Sequence, residues 1–376
     1  MIKFWSYKKE YLKNKKNILN VIDRSIRSGS TFFGKNLSDF EKNFTKKYNS
    51  LYGVAVGSGT DAILISLMSI GIKQGDEIIT ASNTAIPTIS AIISSGAKPK
   101  LVDINKEDYL INVDKIEKLI TSKTKAIIPV HLYGQSADLK KILSIAKKYK
   151  IKVVEDCAQA QGATYKNKYV GTFGHLGCFS FYPTKILGAY GDGGFILTQN
   201  YQLYKKIKRI RFYGIETSDK NNKFNNKYYA NENGINSRLD EIQASILNYK
   251  LKQVDKFIKR RREIAKIYKR ALLPTSLKLP KENKGNTHVY HLFTVFHRKS
   301  KKIIEKLKKN KIETRVIYPY PIQKMKPYKK LNLNNLKNSE IISKGIFSLP
   351  LYPELKNKDV IIICKKIKKI LKKLNF

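Results

Sequence analysis

The sequence predicts an α/β protein: a large, mostly parallel sheet with helices on both faces, followed by a smaller α+β unit. Two observations carry this. Between about residues 52 and 198, short apolar runs alternate with helical stretches across Gly-, Asn- and Asp-containing turns. After Pro274 the pattern changes to isolated strands and Lys-rich amphipathic helices. A chain of 376 residues that is 42% hydrophobic can bury a sizeable core and holds two domains. We draw them over 1–250, including the N-terminal helices, and 251–376.

The elements follow in order. EYLKNKKNILNVIDRSIRSG has apolar residues at helical spacing and ends at Ser28-Gly29, and NLSDFEKNFTKKYN offers an Asn or Ser cap for a second helix. YGVAVG is a strand, GSGTD a turn and AILISLMSIG an apolar helix. EIITAS, KPKLVDI, KAIIPVHLYG and IKVVEDCA are further strands. TAIPTISAIISSG, VDKIEKLI and LKKILSIAKKYK are the helices between them. GHLGCFSFYP and GGFILTQN add two strands, and the polar residues 201–234 give a helix and then a long excursion. The stretch from Ser237 to Leu272 is one long amphipathic helix, or two joined, that links the domains. HVYHLFTVF is a strand of the small unit, and KKIIEKLKKN and KDVIIICKKIKKILKKL are its helices.

Composition narrows the function. The net charge is +45, from 74 Lys and Arg against 29 Asp and Glu, which invites a nucleic-acid reading. Only 11 of the cations are arginine, however, and the lysines are spread from Lys3 to Lys373 on polar helix faces. That distribution fits a solvated basic surface that could steer anionic small substrates. No stretch is apolar enough to span a bilayer, and MIKFWSYKKEYLKNKK lacks the apolar region of a secretory signal. Three cysteines, Cys157, Cys178 and Cys364, form no disulfide framework and fit a reducing cytoplasm. The five histidines show no metal-ligand spacing, and His288 and His291 fit strand and core positions, with a substrate contact as the alternative. Trp5 and Tyr7 fit packing roles, with a sugar-lining role as the alternative.

Gly57-Ser58-Gly59-Thr60-Asp61-Ala62 follows a strand and opens a helix, as a dinucleotide-binding loop does. The acidic residue expected at the end of the next strand is missing, because EIITASNT ends in Ser82, Asn83 and Thr84. What survives is a helix N-terminus able to hold a phosphate, with Gly59 admitting close approach and Thr60 adding a hydroxyl. The alternative is a plain turn capped by Thr60 or Asp61. Lys185 lies between two core strands, before the tight loop GAYGDGG. A desolvated lysine has a lowered pKa and can attack a carbonyl. Asp156 ends an apolar strand, where ligands of open α/β sheets gather, and could pair with a pyridinium nitrogen. Gln159 follows within reach of the same crevice, and Ser180 could donate to a phosphate. A phosphate cradle, an acid at a strand end and a desolvated lysine form the set that pyridoxal phosphate requires.

The ordered motifs SGTDAI (58–63), NTAIPTISAI (83–92), GAKPKLVDI (96–104), VVEDCAQAQGA (153–163) and FSFYPTKILGAYGDGG (179–194) carry a resemblance. So do GINSRLDEIQASIL (234–247), HVYHLFTV (288–295) and SLPLYP (348–353). Across nearly the whole chain the sequence resembles the DegT/DnrJ/EryC1 sugar aminotransferases, pyridoxal-phosphate enzymes of fold type I. The resemblance implies that the 1–250 domain binds pyridoxal 5'-phosphate and that Lys185 is the lysine that carries it. Asp156 would hold the pyridine nitrogen, Gln159 the ring oxygen, and Gly59, Thr60, the Asp61 backbone and Ser180 the phosphate. Asn236 would reach the phosphate of a neighbouring subunit, which implies a homodimer with shared active sites.

The activity so implied is amino transfer, with L-glutamate as donor, to a nucleotide-diphosphate-linked keto-sugar in amino-sugar and surface-polysaccharide synthesis. PTK-x-LGA-x-GDGG is similar to enzymes acting at a 3-keto carbon, so dTDP-3-keto-6-deoxyhexose is the first expectation. Transfer at C4 is the alternative. A 3-dehydratase on the same fold replaces the lysine with histidine, so Lys185 argues against it. Partners therefore include no nucleic acid and no membrane, and no metal is expected. Two departures stand out. Ala85 and Ile86 occupy a stretch where many relatives place an aromatic ring, and Ile317 precedes Tyr318-Pro319 where many carry His.

Overall fold

In the computed structural model, residues 1–216, 229–331 and 335–374 are described. Two helices open the chain, α1 (Tyr7–Arg27) and α2 (Lys35–Lys47). The large unit then runs β1 (Tyr52–Val56), α3 (Gly59–Ser69), β2 (Glu77–Ala81), α4 (Ile86–Ser94), β3 (Lys98–Val102), β4 (Thr124–Ile128), α5 (Leu139–Lys148) and β5 (Lys152–Asp156). A short hairpin, β6 (Thr164–Tyr165) and β7 (Lys168–Tyr169), precedes β8 (Leu176–Ser180), β9 (Gly194–Thr198) and α6 (Tyr201–Ile210). Then come α7 (Glu241–Leu251), α8 (Val254–Leu272), β10 (Asn286–Thr287), β11 (Phe293–Phe296), α9 (Ser300–Lys309), α10 (Lys337–Ser343), β12 (Ile346–Leu349) and α11 (Asn357–Lys372).

Among the described residues, seven strands form the main sheet in the order β1-β9-β8-β5-β4-β2-β3. All run the same way except β9, which is antiparallel to both β1 and β8. The carboxyl ends of β1, β2, β4, β5 and β8 therefore meet along one edge. Alternation along β1 shows how the two faces are covered. Val54 and Val56 join the core beneath α3, α4 and α6, while Ala55 joins the opposite core with Phe40, Phe44 and Leu247. A separate core gathers Tyr268, Phe293, Phe347, Ile363 and Ile367, with Ile2 and Trp5 packed against it. Ile2 reaches that unit through a parallel bridge to Ile312.

Several expectations are corrected. VDKIEKLI is not a helix but two 3-10 turns, Val113–Lys115 and Glu117–Leu119. Asn112 caps the first turn, Ile120 is already extended, and the bonds between them close over three residues, from Ile116 N to Val113 O, Leu119 N to Ile116 O and Ile120 N to Glu117 O. The linking helix is two, broken at Lys252–Gln253 between α7 and α8. The pairs β6-β7, β10 and β12 were not foreseen, because two- and four-residue strands carry almost no periodicity. Half of the excursion after α6, residues 217–228, lies outside the described residues.

The α2 cap is Gly34, neither Asn nor Ser. Its orphan N–H groups are satisfied from far along the chain. The Glu241 carboxylate accepts from Gly34 N at 2.8 Å, Asn36 N at 2.8 Å and Leu37 N at 3.0 Å. Glu241 is 1% exposed and opens α7, so one side chain starts α2 and docks it on α7. Charge-assisted bonds of this kind contribute about 1.5–3 kcal/mol each when buried. Glu241→Ala is expected to lower the unfolding free energy by roughly 2–4 kcal/mol in a urea titration, and Glu241→Gln by less. An unchanged midpoint for Glu241→Ala would remove this cap from the account.

Candidate active site

The site lies along the carboxyl edge of the main sheet. At the end of β1 the chain turns through Gly57-Ser58 into α3. Ser58 is the helix cap, its Oγ accepting from Asp61 N at 3.0 Å. The expected Thr60 or Asp61 cap is replaced by this serine, and the Asp61 carboxylate serves elsewhere. It accepts from Ser237 Oγ at 2.8 Å, and Ser237 Oγ accepts from Gly57 N at 2.8 Å. Among the described residues, the Gly59 and Thr60 N–H groups and the Thr60 hydroxyl have no hydrogen-bond partner. Those are the groups a helix start offers to an anion. Asp61 N–H is engaged by Ser58 and would have to be released to join them.

Ser180, at the end of β8, faces this turn. A Cβ on Gly59 would lie 2.6 Å from the Ser180 Cβ, so only glycine admits the close approach. The Ser180 hydroxyl accepts a long bond from Tyr182 N at 3.3 Å, and its own proton remains free to donate.

Asp156 ends β5 and is 4% exposed. Its Oδ2 accepts from the Thr88 hydroxyl and its Oδ1 from Ala158 N, at 2.9 and 3.0 Å. Thr88 is in turn bonded to Thr84 at 2.9 Å. Gln159 spans the crevice. Its Oε1 accepts from Tyr133 N at 2.8 Å, and its Nε2 donates to the Tyr318 hydroxyl at 2.9 Å, leaving one amide N–H uncommitted. Tyr318 is thus tied into the site although Ile317, not His, precedes it. Ala85 and Ile86 bring no ring to the start of α4, and Ile86 is exposed.

Lys185 sits in a clamped loop. Gln161 donates to Ser180 O and Leu187 O at 2.7 and 3.1 Å and accepts from Leu187 N at 2.8 Å. The buried Lys250 ammonium donates to Gly188 O at 2.6 Å, and Gln243 accepts from Tyr190 N at 2.8 Å. No hydrogen bond or ion pair holds the Lys185 amine itself among the described residues. Loss of solvation draws its pKa from 10.5 down to about 8, and the nearby Asp156 charge opposes that fall. Asn236, by contrast, is exposed and outside this constellation, bridged to Phe212. Arg238 stacks over the Phe32 ring at 4.2 Å.

Sequence reasoning missed Thr88, Gln161 and the pair His131–Glu155. His131 and Glu155 are 0% exposed and 3.0 Å apart. Glu155 also accepts from Gly171 N, Phe173 N and Gly174 N at 2.7–2.8 Å, and His131 Nδ1 accepts from Ala137 N at 3.1 Å. Cys157 brings a third potential ligand atom to that pair. With its oxygens already taken by four donors, Glu155 is a strut that fixes the strand beside Asp156. Thr88 and Gln161 each lie inside a quoted motif, but only the fold reveals their partners.

The residues present fit pyridoxal phosphate. Free N–H groups at a helix start, a glycine that brings Ser180 close, a buried carboxylate at a strand end and an unpaired, weakly basic lysine share one sheet edge. This fold and this set define an aminotransferase-type site. The comparisons agree. The family model described as the DegT/DnrJ/EryC1/StrS aminotransferase family matches residues 12–368. The dTDP-3-amino-3,4,6-trideoxy-alpha-D-glucose transaminase of Micromonospora megalomicea subsp. nigra is 39% identical over 359 residues, covering 93% of this chain and 94% of that protein. The dTDP-3-amino-3,6-dideoxy-alpha-D-galactopyranose transaminase of Aneurinibacillus thermoaerophilus is 39% identical over 360 residues, 96% and 97% of the two chains. The crystal structure of NtdA from Bacillus subtilis, with PMP bound as its cofactor, superimposes with a TM-score of 0.88 at 32% identity, covering 96% and 82%. The chain belongs to the DegT/DnrJ/EryC1/StrS aminotransferase family, and it is a pyridoxal-phosphate enzyme.

The lysine carries a pH consequence. Between about 8 and 10.5 the folded state binds fewer protons than the unfolded chain. Lys185 therefore costs stability below about 8, and the cost fades as pH rises toward 10.5. Its neutral, nucleophilic form dominates above about 8. The rate at which cofactor-free protein captures added pyridoxal phosphate, followed by absorbance, is expected to rise with pH and level off above that value. In Asp156→Asn the midpoint should move lower, because the opposing charge is gone. A flat profile in the parent would contradict the shift.

Proposed function

We propose that the protein transfers an amino group from L-glutamate to the keto carbon of a nucleotide-diphosphate-linked sugar, dTDP-3-keto-6-deoxyhexose being the first candidate. The observation that carries this is the unpaired Lys185 amine, close enough to feel the Asp156 charge, in a site that also holds the open α3 N-terminus. The two transaminases described above, each named for a 3-amino deoxysugar nucleotide, support the 3-position over transfer at C4. The retained lysine supports transfer over dehydration. The product would enter amino-sugar and surface-polysaccharide synthesis.

Lys185 would hold the cofactor through its amine. Asp156 would hold its ring nitrogen, Gln159 its ring oxygen, and Gly59, Thr60, the Asp61 backbone and Ser180 its phosphate. Bound there, pyridoxal phosphate supplies an electron sink for negative charge on the carbon beside the nitrogen. Lys185 Nζ, once free, takes the proton from the donor's α-carbon as a general base. The Thr88 hydroxyl and the Ala158 N–H hold the Asp156 carboxylate in position. Gln161 and Lys250 keep the Lys185 loop from drifting.

Asn236 would serve the phosphate of a second subunit in a homodimer. Its exposure supports this, as do the exposed rings of Phe33 and Tyr213, 41% and 45% exposed, that pack on its bridge partner Phe212. We also place the domain boundary at 250/251, at the last residue of α7 just before the break to α8, and the protein in the cytoplasm. No helix among the described residues is long and apolar enough to cross a membrane.

Glutamate added to the yellow holoenzyme is expected to bleach the lysine-bound cofactor band and raise that of the pyridoxamine form. Lys185→Ala should lose the band and all turnover while eluting at the parent's size. A lysine-less variant with substantial turnover would dismiss Lys185 from the mechanism.

A further inference from the structure

A cavity of about 330 Å³ opens beside the active lysine, lined among others by Phe4, Trp5, Thr184, Arg261, His291 and Arg315. Thr184 immediately precedes Lys185, and the Lys185 charge is felt by His291 in the cavity wall. Two of its wall residues are left incomplete by the rest of the fold.

Arg261, from α8, is 3% exposed. Its Nη1 donates to Tyr290 O, His291 O and Leu351 O at 3.0–3.2 Å, and its Nε has no partner. No carboxylate pairs with it among the described residues, and Glu354 and Glu10 influence it only from a distance. Burial draws its pKa down to about 10. His291 is 7% exposed, and neither ring nitrogen is hydrogen-bonded among the described residues. Burial and the charges of Lys185 and Arg261 hold it well below its usual pKa, so the ring is neutral. Arg315 makes the contrast, because Glu313 neutralises it at 2.7 Å. A buried cation without a counter-ion is costly, and an orphaned imidazole beside it adds to the cost. An anion arriving from outside would relieve both.

We infer that Arg261 and His291 form the carboxylate subsite for the amino donor. This rests on the transamination reading above. Two substrates occupy the space at Lys185 in turn. The donor carries a carboxylate next to its reacting amine, whereas the keto-sugar carries neutral hydroxyls around its reacting carbon. Next to the reacting atom, only the donor brings an anion, and the acceptor's diphosphate lies on the far side of the sugar ring from its keto carbon. The uncommitted guanidinium N–H groups and the imidazole N–H would donate to its oxygens, and Trp5 and Phe4 would cover its aliphatic stem. A cavity of this size suits a small molecule of that kind.

The test is calorimetric titration of the holoenzyme with glutarate, a five-carbon dicarboxylate with no amine to give. The parent is expected to bind it. His291→Phe and Arg261→Met should weaken it about tenfold to hundredfold, the loss expected for one charge-assisted bond. The same variants should raise by a similar factor the glutamate concentration needed for the half-maximal spectral change. His291→Gln, which restores an N–H donor, should recover most of the loss. Should Arg261→Met fail to fold for want of its carbonyl bonds, the two His291 variants decide alone. Folded variants that bind glutarate and respond to glutamate as the parent does would overturn the subsite and leave the transamination reading standing. A parent that binds glutarate through these residues yet shows no spectral response to any amino acid would overturn the transamination reading and with it the assignment to an amino donor, leaving a carboxylate-binding site.

Discussion

The Lys185 amine is held away from water beside a buried carboxylate that it does not pair with. The fall of its pKa from 10.5 to about 8 corresponds to roughly 3 kcal/mol of net desolvation, after Asp156 has offset part of the cost. A closed ion pair would restore the amine's basicity and remove its reactivity. Asp156 is held in position by the Thr88 hydroxyl and by Ala158 N. Lys185 is kept in place by a loop whose carbonyls are tied down by Gln161 and Lys250. The rest of the fold maintains this unmade contact.

Remote carboxylates do much of that maintenance. Glu155 gathers three backbone N–H groups and His131 behind Asp156. Glu241 gathers three more at the start of α2 and locks the first helices onto α7. Each is buried and fully engaged, which is what makes a buried charge tolerable. The positive surface works differently. Its ion pairs, such as Lys35–Asp39 and Lys309–Glu305, are largely exposed and contribute little. The excess lysines shape the field around the molecule more than its stability.

Much of the large unit was legible because its signals are local. Apolar runs of five residues bounded by turns became β1 to β5, β8 and β9, and the sheet order placed their carboxyl ends together. The glycine loop, the acid at the end of β5 and the lysine between two core strands could each be picked out by residue type and flanking pattern. The elements that failed were those where the local signal is weak or overridden. Val113 and Ile116 have helical spacing, but seven residues between a capping Asn and an extended Ile settle into 3-10 turns. The α2 cap escaped notice because its carboxylate lies more than two hundred residues away.

The sequence by itself determined which residues can do chemistry, since the reactivity of a lysine, a carboxylate or a free helix N–H follows from its type and from the strand or turn that carries it. The tertiary structure alone decided which of them lack partners. Thr88 on Asp156, Ser58 rather than Thr60 as the cap, and Arg261 without an acid are outcomes of packing between segments distant in the chain. His291 could pass for an ordinary strand residue until the fold left both its nitrogens unbonded beside a cavity. Hydrogen-bond satisfaction is a property of three-dimensional neighbourhoods, and periodicity along a chain does not encode it.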